Sequence, residues 1–289
     1  MSLLQVIILA IVQGLAELLP VSSSAHVVVT EKLMGLDPSS PPMTLLLVML
    51  HTGTMFAVIV YFWKQWRGAY FQSWDSFKNV AIKIVLATAL TGAIGEGIVK
   101  ILEKTAFHGV KVAEIEDLFG HLEIIAPALT LVGVFIVIAG VFTDRKPAES
   151  ATDASGMSSR QAALIGAVQG LCLPFRGFSR SGATISTGML AGVPKPAVEA
   201  FSFALAVVLT PAVVAREAIR LTHVQSTGGT GDWLSVFAPS LLGAVFAFAA
   251  GLAALKWLSR WLEGGRWHLF GVYCMIAGVA VFLLHRNGY

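Results

Sequence analysis

Two short polar stretches interrupt apolar segments of this chain, and each holds residues able to grip or attack an anion. The first reads Pro20-Val21-Ser22-Ser23-Ser24-Ala25-His26 and follows Gln13 and Glu17. The second reads Ser179-Arg180-Ser181-Gly182-Ala183-Thr184 and follows Pro174-Phe175-Arg176-Gly177-Phe178. A carboxylate, a histidine, an arginine and a set of hydroxyls are costly in apolar segments unless they face a cavity. A helix restarting near Ser22 or Ser23 opens with N–H groups that lack intrahelical partners and with the positive end of its dipole. The serine hydroxyls add donors. That makes an anion site, and phosphate is the anion such sites most often hold. The second break offers the same start at Ser179 and Ser181, with Thr184 one turn on, and adds Arg180. A guanidinium grips two phosphate oxygens at once and stays charged when partly buried. If the two breaks meet, two helix starts and one arginine suit a diphosphate better than a monocarboxylate.

His26 lies three residues after Ser23, so on a helix the two share a face. That spacing suits a hydroxyl nucleophile with an imidazole base, or a histidine acid for a leaving group. Gln13 and Glu17, four apart, also share a face. A carboxylate and an amide oxygen beside phosphate form a seat for a divalent cation, Mg²⁺ or Ca²⁺, whose shell phosphate oxygens and water complete. Each residue has a plainer reading. Ser24 fits a bond back to a carbonyl one turn earlier, and Ser22 or Ser23 fits an N-cap. Glu17 fits a structural partner for Arg180, and His26 a satisfied interior histidine. Four such coincidences beside two matching breaks favour one site. Among the remaining polar residues, His51 with Thr52 and Thr54 is placed to line the cavity. Glu96 and Lys100 are spaced to pair. Glu199 reads as interfacial, and Arg176 as an extra phosphate contact or a snorkelling anchor.

The elements that must position these groups are membrane helices. The chain has 289 residues, 56% of them hydrophobic and only 13% charged, against about 25% charged in a soluble domain. Its net charge of +3 is spread over loops, which leaves a nucleic-acid partner without support. Cys172 and Cys274 lie in apolar surroundings without metal-ligand spacing. A cleaved leader is not expected, because no basic region precedes the first apolar run and that run contains Glu17. Six segments read as full spans, near 43–63, 80–103, 121–143, 197–219, 235–258 and 267–286. Residues 2–35 and 161–193 are each broken into halves too short to span. Both copies open with Val-Gln-Gly-Leu, at Val12 and at Val168. They read as re-entrant hairpins; the alternative is one kinked span each.

The expected fold is therefore an all-α polytopic membrane protein, one integral membrane domain with six transmembrane helices and two re-entrant helical hairpins. A hairpin followed by three spans makes an odd repeat, so residues 160–289 should sit inverted relative to residues 1–143. Such inverted-topology repeats place their site where broken helices meet near the bilayer midplane. Loops with Lys64, Arg67 and Lys78, with Arg145, Lys146 and Arg160, and with Arg260 and Arg266 would face the cytoplasm. The loop of Glu114, Glu116, Asp117 and Glu123, relieved by Lys104 and Lys111, would face outward with the mouth of the first hairpin. Trp63, Trp66, Trp257, Trp261 and Trp267 fall at span ends, as interfacial anchors do. The run from Pro147 reads as a flexible linker.

At these motifs the chain resembles the undecaprenyl-diphosphate phosphatase family, the bacitracin-resistance integral membrane phosphatases of bacteria. The resemblance rests on Gln13-Gly14-x-x-Glu17-x-Leu19-Pro20-Val21-Ser22-Ser23-Ser24-x-His26 and on Gly177-Phe178-Ser179-Arg180-Ser181-Gly182-Ala183-Thr184. It departs from the family pattern at three places. Gln13 stands where the family often has glutamate, Ala25 replaces a glycine, and Pro174-Phe175-Arg176-Gly177 replaces a tighter Pro-Gly. The resemblance implies hydrolysis of undecaprenyl diphosphate at the outer face of the cytoplasmic membrane, which recycles the lipid carrier of cell-wall synthesis. It also implies dependence on a divalent cation (Mg or Ca) and a catalytic core of Glu17, Ser23, His26 and Arg180. The further expected contacts to substrate are Ser22, Ser179, Ser181 and Thr184, with Gln13 beside Glu17 on the metal. Expected partners are the polyprenyl diphosphate and membrane lipids, with a homodimer left open. In one route Ser23, deprotonated by His26, attacks the terminal phosphorus; in the other, His26 or Glu17 activates water and Ser23 is a ligand. The alternative function is a transporter or flippase for a phosphorylated lipid or anion on the same inverted repeat.

Overall fold

The computed structural model describes residues 1–38, 40–105, 121–143, 156–226, 233–262 and 266–289. Among these residues the chain forms ten helices and no strand. The first break separates α1 (Leu3–Leu18) from α2 (Ser23–Leu33), and the second separates α6 (Ser159–Cys172) from α7 (Arg180–Leu190). The remaining six are α3 (Pro41–Ala69), α4 (Trp74–Thr105), α5 (Leu122–Thr143), α8 (Lys195–Ser226), α9 (Trp233–Leu262) and α10 (Trp267–Arg286). All six are long and apolar enough to cross a membrane. With 16 residues, α1 is about 24 Å long, and α2, with 11, is about 16 Å. Neither reaches the roughly 30 Å of a hydrocarbon core.

Local sequence explains where the broken helices begin and end. Ser2 and Gln5 close a capping box on α1, and Ser158 and Gln161 close the same box on α6. Helix α1 stops because Leu19 precedes Pro20 and is driven into the extended region, at φ −82° and ψ 147°. The glycine of each Val-Gln-Gly-Leu motif lets its helix press onto a neighbour. A Cβ on Gly14 would lie 2.9 Å from the Ala247 carbonyl of α9, and one on Gly170 would lie 2.8 Å from the Thr91 carbonyl of α4. Thus α1 packs on α9 while α6 packs on α4. The bundle is completed by α3 against α8 and α9, and by α5 against α10. Leu18 and Val21 beside the first break share one buried apolar cluster with Ile136, Ile185 and Phe201.

The spans lie close to their expected places, with an informative difference in α3. That helix continues beyond the apolar window because Phe62, Trp66 and Tyr70 stack one turn apart, with ring centroids at 5.7 and 6.5 Å. Trp66 is buried and its indole N–H donates to the Ala200 carbonyl at 3.1 Å. Trp267 is buried too, donating to the Ser186 hydroxyl at 3.0 Å. Both were expected as interfacial anchors and instead close helix contacts, since each indole N–H finds a partner inside the protein. Trp63 does stay exposed. The side chains of Trp257, Arg260 and Trp261 lie outside the described residues. So do Lys111, Glu114, Glu116 and Asp117, Arg145 and Lys146, and residues 147–155 of the linker.

Candidate active site

The two breaks come together in space. Ser181 donates to the Leu19 carbonyl at 3.4 Å, and the backbone of Gly182 passes so near Pro20 that a Cβ would sit 3.1 Å from its carbonyl oxygen. At this junction the carboxylate of Glu17, at the end of α1, is the hub. Arg180 donates through Nη2 to Glu17 Oε1 at 2.8 Å. On Oε2, Ser23 donates from its hydroxyl at 2.5 Å and Gln13 from its amide at 2.9 Å. His51 Nε2 stands 3.3 Å from the same oxygen, while its Nδ1 is 2.8 Å from the Leu47 carbonyl one turn back. The Glu17 side chain is only 11% exposed and that of Arg180 22%, so their charges meet in a poorly solvated place. Nη1 of Arg180 is buried without a hydrogen-bond partner. A buried guanidinium N–H left unpaired costs energy that an anion arriving there would recover.

The halves are specialised at matching positions. Ser23 is the first residue of α2 and Arg180 the first residue of α7, both in helices of 11 residues. Glu17 in the first copy of the motif corresponds to Leu173 in the second, so one copy brings the Ser23 hydroxyl and the carboxylate, and the other brings the Arg180 guanidinium. The helix starts differ in their caps. The Ser179 hydroxyl accepts from the Gly182 N–H at 3.1 Å. Ser22 occupies the N-cap position of α2 but makes no side-chain cap. It is also, among the described residues, the one non-glycine with positive φ, at 67°. Such a conformation costs roughly 1–2 kcal/mol and persists at functional sites when surrounding contacts enforce it.

One of those contacts is His26, whose Nδ1 lies 2.8 Å from the Ser22 carbonyl. A carbonyl only accepts, so Nδ1 carries the proton, and in the neutral ring Nε2 is the acceptor. Tyr273 of α10 lies 2.7 Å from Nε2 through its hydroxyl. The expected contact between Ser23 and His26 is therefore replaced. Sharing a helical face brings two side chains near, but the turn at Pro20 folds Glu17 over the start of α2 and gives Ser23 a nearer acceptor.

The other expected residues fall as follows. Ser22 and Ser24 approach each other at 3.5 Å. Thr184 is fully buried; its hydroxyl is bonded to Ser202 at 2.6 Å and donates to the Arg180 carbonyl at 2.8 Å, which ties α7 to α8. The second glutamine, Gln169, donates to Thr91 at 3.2 Å, away from Glu17. Glu96 and Lys100 pair at the surface, at 3.8 Å. Glu199 pairs with Lys195 at 3.9 Å, and that lysine lies over the Trp267 ring. Arg176 is close enough to the buried Glu31 for their charges to interact. Cys172 and Cys274 are free and buried. Sequence reading missed Tyr273, which sits in an apolar span with no polar neighbour to mark it, and Glu31.

Two oxygen donors at this junction, from Glu17 and Gln13, could serve a divalent cation. Oε1 of the wholly buried Gln13 has no hydrogen-bond partner, although its amide nitrogen is held by Glu17. Among the described residues there is no group of three or more His, Cys, Asp and Glu suited to a metal. A protein cage of the zinc type does not fit that donor set. One carboxylate with one amide oxygen fits a hard cation that takes most of its ligands from phosphate and water.

Known proteins match this chain over nearly its whole length. It is 55% identical over 287 residues to undecaprenyl-diphosphatase 2 of Acinetobacter baylyi, covering 98% of each chain. It is 34% identical to undecaprenyl-diphosphatase 2 of Burkholderia orbicola, covering 99% of each, and 31% identical to undecaprenyl-diphosphatase of Rhodopirellula baltica, covering 98% of each. The family model described as bacitracin resistance protein BacA matches residues 6–280. With the paired breaks, the Glu17 hub and this full-length match, the chain belongs to the bacitracin resistance protein BacA family.

Proposed function

We infer that this protein is a multi-pass bacterial membrane phosphatase. It hydrolyses undecaprenyl diphosphate to undecaprenyl phosphate and inorganic phosphate, the activity named in its relatives and the route to bacitracin resistance. The observation that carries the site assignment is the convergence of Ser23 and Arg180, the first residues of two separate half-helices, on the single carboxylate of Glu17.

The mechanism divides proton handling between two bases. The diphosphate head binds at the starts of α2 and α7, with the free Nη1 of Arg180 donating to a terminal phosphate oxygen. The Ser23 oxygen attacks the terminal phosphorus in line. Its proton passes to Glu17, the bond to the bridging oxygen breaks, and undecaprenyl phosphate leaves with that electron pair. Water then attacks the phosphoserine and gives a proton to Nε2 of His26. The Ser23–phosphorus bond breaks, and Glu17 returns its proton to Ser23. Ser22, Ser179 and Ser181 shape the backbone that presents N–H donors to the phosphates. Gln13 and Glu17 would hold the divalent cation, which when bound supplies Lewis-acid neutralisation of phosphate charge.

The same reading treats residues 1–143 and 160–289 as inverted repeats whose broken pairs α1–α2 and α6–α7 are re-entrant hairpins. The crossed packing of α1 on α9 and α6 on α4 supports it. The Lys/Arg-rich loops then face the cytoplasm, and the site opens to the outer face of the inner membrane. Phosphate release from a polyprenyl diphosphate by purified protein, with and without EDTA, is the test. Release that EDTA stops and Arg180→Ala abolishes is the expected result. Undiminished release by Arg180→Ala would remove the site from this junction.

A further inference from the structure

Tyr273 reaches the site from 247 residues away along the chain. Helix α10 is carried to the junction by α5, against which it packs so closely that a Cβ on Gly271 would collide with the Gly133 carbonyl. The neighbouring Cys274 touches the other side of the break, its thiol 3.5 Å from the Pro20 carbonyl. Around Tyr273, Leu269, Val272 and Ile276 are exposed and apolar, so this face of α10 looks into lipid. The Tyr273 ring is itself 47% exposed and lies nearly parallel to the His26 imidazole, at 11° with centroids 5.6 Å apart. Its hydroxyl is 2.7 Å from Nε2. His26 is thus held between two fixed partners, the Ser22 carbonyl on Nδ1 and the Tyr273 hydroxyl on Nε2.

We propose that Tyr273 is a positioning residue for His26: its hydroxyl donates to Nε2, its ring stacks on the imidazole, and together they keep His26 neutral, in the Nδ1–H tautomer, and turned to the lipid side of the site. A hydrogen bond to one ring nitrogen of histidine decides which nitrogen is available as a base. Here both ends are determined. The Ser22 carbonyl requires a proton on Nδ1, and the Tyr273 hydroxyl, a donor, is satisfied by the lone pair on Nε2. The two contacts also explain how the left-handed turn at Ser22 is maintained, because the ring that Tyr273 clamps is the ring that holds the Ser22 carbonyl. Placement at the lipid edge sets the direction of the chemistry. Ser23 is buried and the Glu17 side chain only 11% exposed, whereas His26 meets the half-exposed Tyr273 on the apolar face of α10, the side from which a substrate whose tail stays in lipid would enter. When the diphosphate binds, Tyr273 yields Nε2 to the water that hydrolyses the phosphoserine.

This role rests on the phosphatase reading with His26 as base, so the test has one arm that needs no catalysis. In protein labelled with ¹⁵N-histidine, His26, assigned by its loss in His26→Ala, should show the neutral Nδ1–H tautomer with a hydrogen-bonded Nε2. In Tyr273→Phe, which keeps the ring, the Nε2 resonance should move to that of an unbonded nitrogen. An Nε2–H tautomer in the wild type, or an unchanged resonance in Tyr273→Phe, overturns the proposal even if the enzyme is active. In the kinetic arm, Tyr273→Phe should lower kcat about tenfold, the scale of one lost hydrogen bond, with KM within about twofold. In a His26→Ala background the same substitution should have no further effect. A loss of the same factor there would mean that Tyr273 acts on the substrate itself, which also overturns it. Wild-type protein that releases no phosphate but shows the expected tautomer would count against the phosphatase reading and leave the positioning contact standing.

Discussion

Replacing Glu17 by glutamine is the most informative single change, because it removes the charge and keeps the shape. In the native site Glu17 accepts from Ser23 at 2.5 Å, Gln13 at 2.9 Å and Arg180 at 2.8 Å. Set in place of Oε2, the amide oxygen can keep the bonds from Ser23 and Gln13, but the amide nitrogen is a donor and must then face Arg180. Ser23 keeps a hydrogen-bond acceptor but loses a group basic enough to take its proton, and loss of a positioned general base costs kcat about 10²–10⁴-fold. Arg180 loses its counter-charge. With side chains 22% and 11% exposed, the pair lies between surface and buried bridges, so stability should fall by about 1–2 kcal/mol. The effect on KM has the opposite sense. At saturating Mg²⁺, which offsets the lost carboxylate ligand, Nη2 of Arg180, released from Glu17, becomes a second donor for phosphate, and KM should stay level or fall. Steady-state phosphate release across a polyprenyl diphosphate titration, with thermal unfolding in the same detergent, reads all three quantities. A Glu17→Gln variant with kcat within about threefold of wild type and a raised KM would refute the base role.

Three further outcomes follow from the same geometry. Gln13→Glu places a second carboxylate beside Glu17, so half-activation should need less Mg²⁺, by about tenfold; an unchanged Mg²⁺ titration would remove Gln13 from the cation seat. Gly14→Val drives a side chain into Ala250 and the Ala247 carbonyl, and should cost about 1–3 kcal/mol of stability, read as a lowered Tm with little change in the activity of the folded fraction. Single cysteines at Asn287 and at Lys64 in a cysteine-free background test orientation. Impermeant reagent added to whole cells should label the first and spare the second, and the reverse pattern would invert the assigned topology.

The sequence was most legible where physics is local. Pro20 had to stop α1, the interruption before Ser179 had to stop α6, and the apolar windows located the six spans. Ser23 and Arg180 could be singled out because a helix start inside an apolar segment is already an anion site. What the sequence did not show depends on where the breaks fold. An i, i+3 spacing placed Ser23 and His26 on one face, yet the carboxylate returning over the start of α2 took the Ser23 hydroxyl and left His26 to Ser22 and Tyr273. The left-handed conformation of Ser22 carries no compositional mark, since serine rarely adopts it. Trp66 and Trp267 stand at span ends in both anchors and helix contacts, and only partners from distant helices tell the two apart.

The central claim is that residues from two separate breaks form one catalytic unit, and a double-mutant cycle on Ser23→Ala and Arg180→Ala measures it most directly. Groups that act together are not additive. Each single variant should lose nearly all phosphate release from a polyprenyl diphosphate, and the double variant should be scarcely slower than either. Losses that multiply, with the double variant slower by the product of the two factors, would mean that Ser23 and Arg180 act independently and would contradict a shared site.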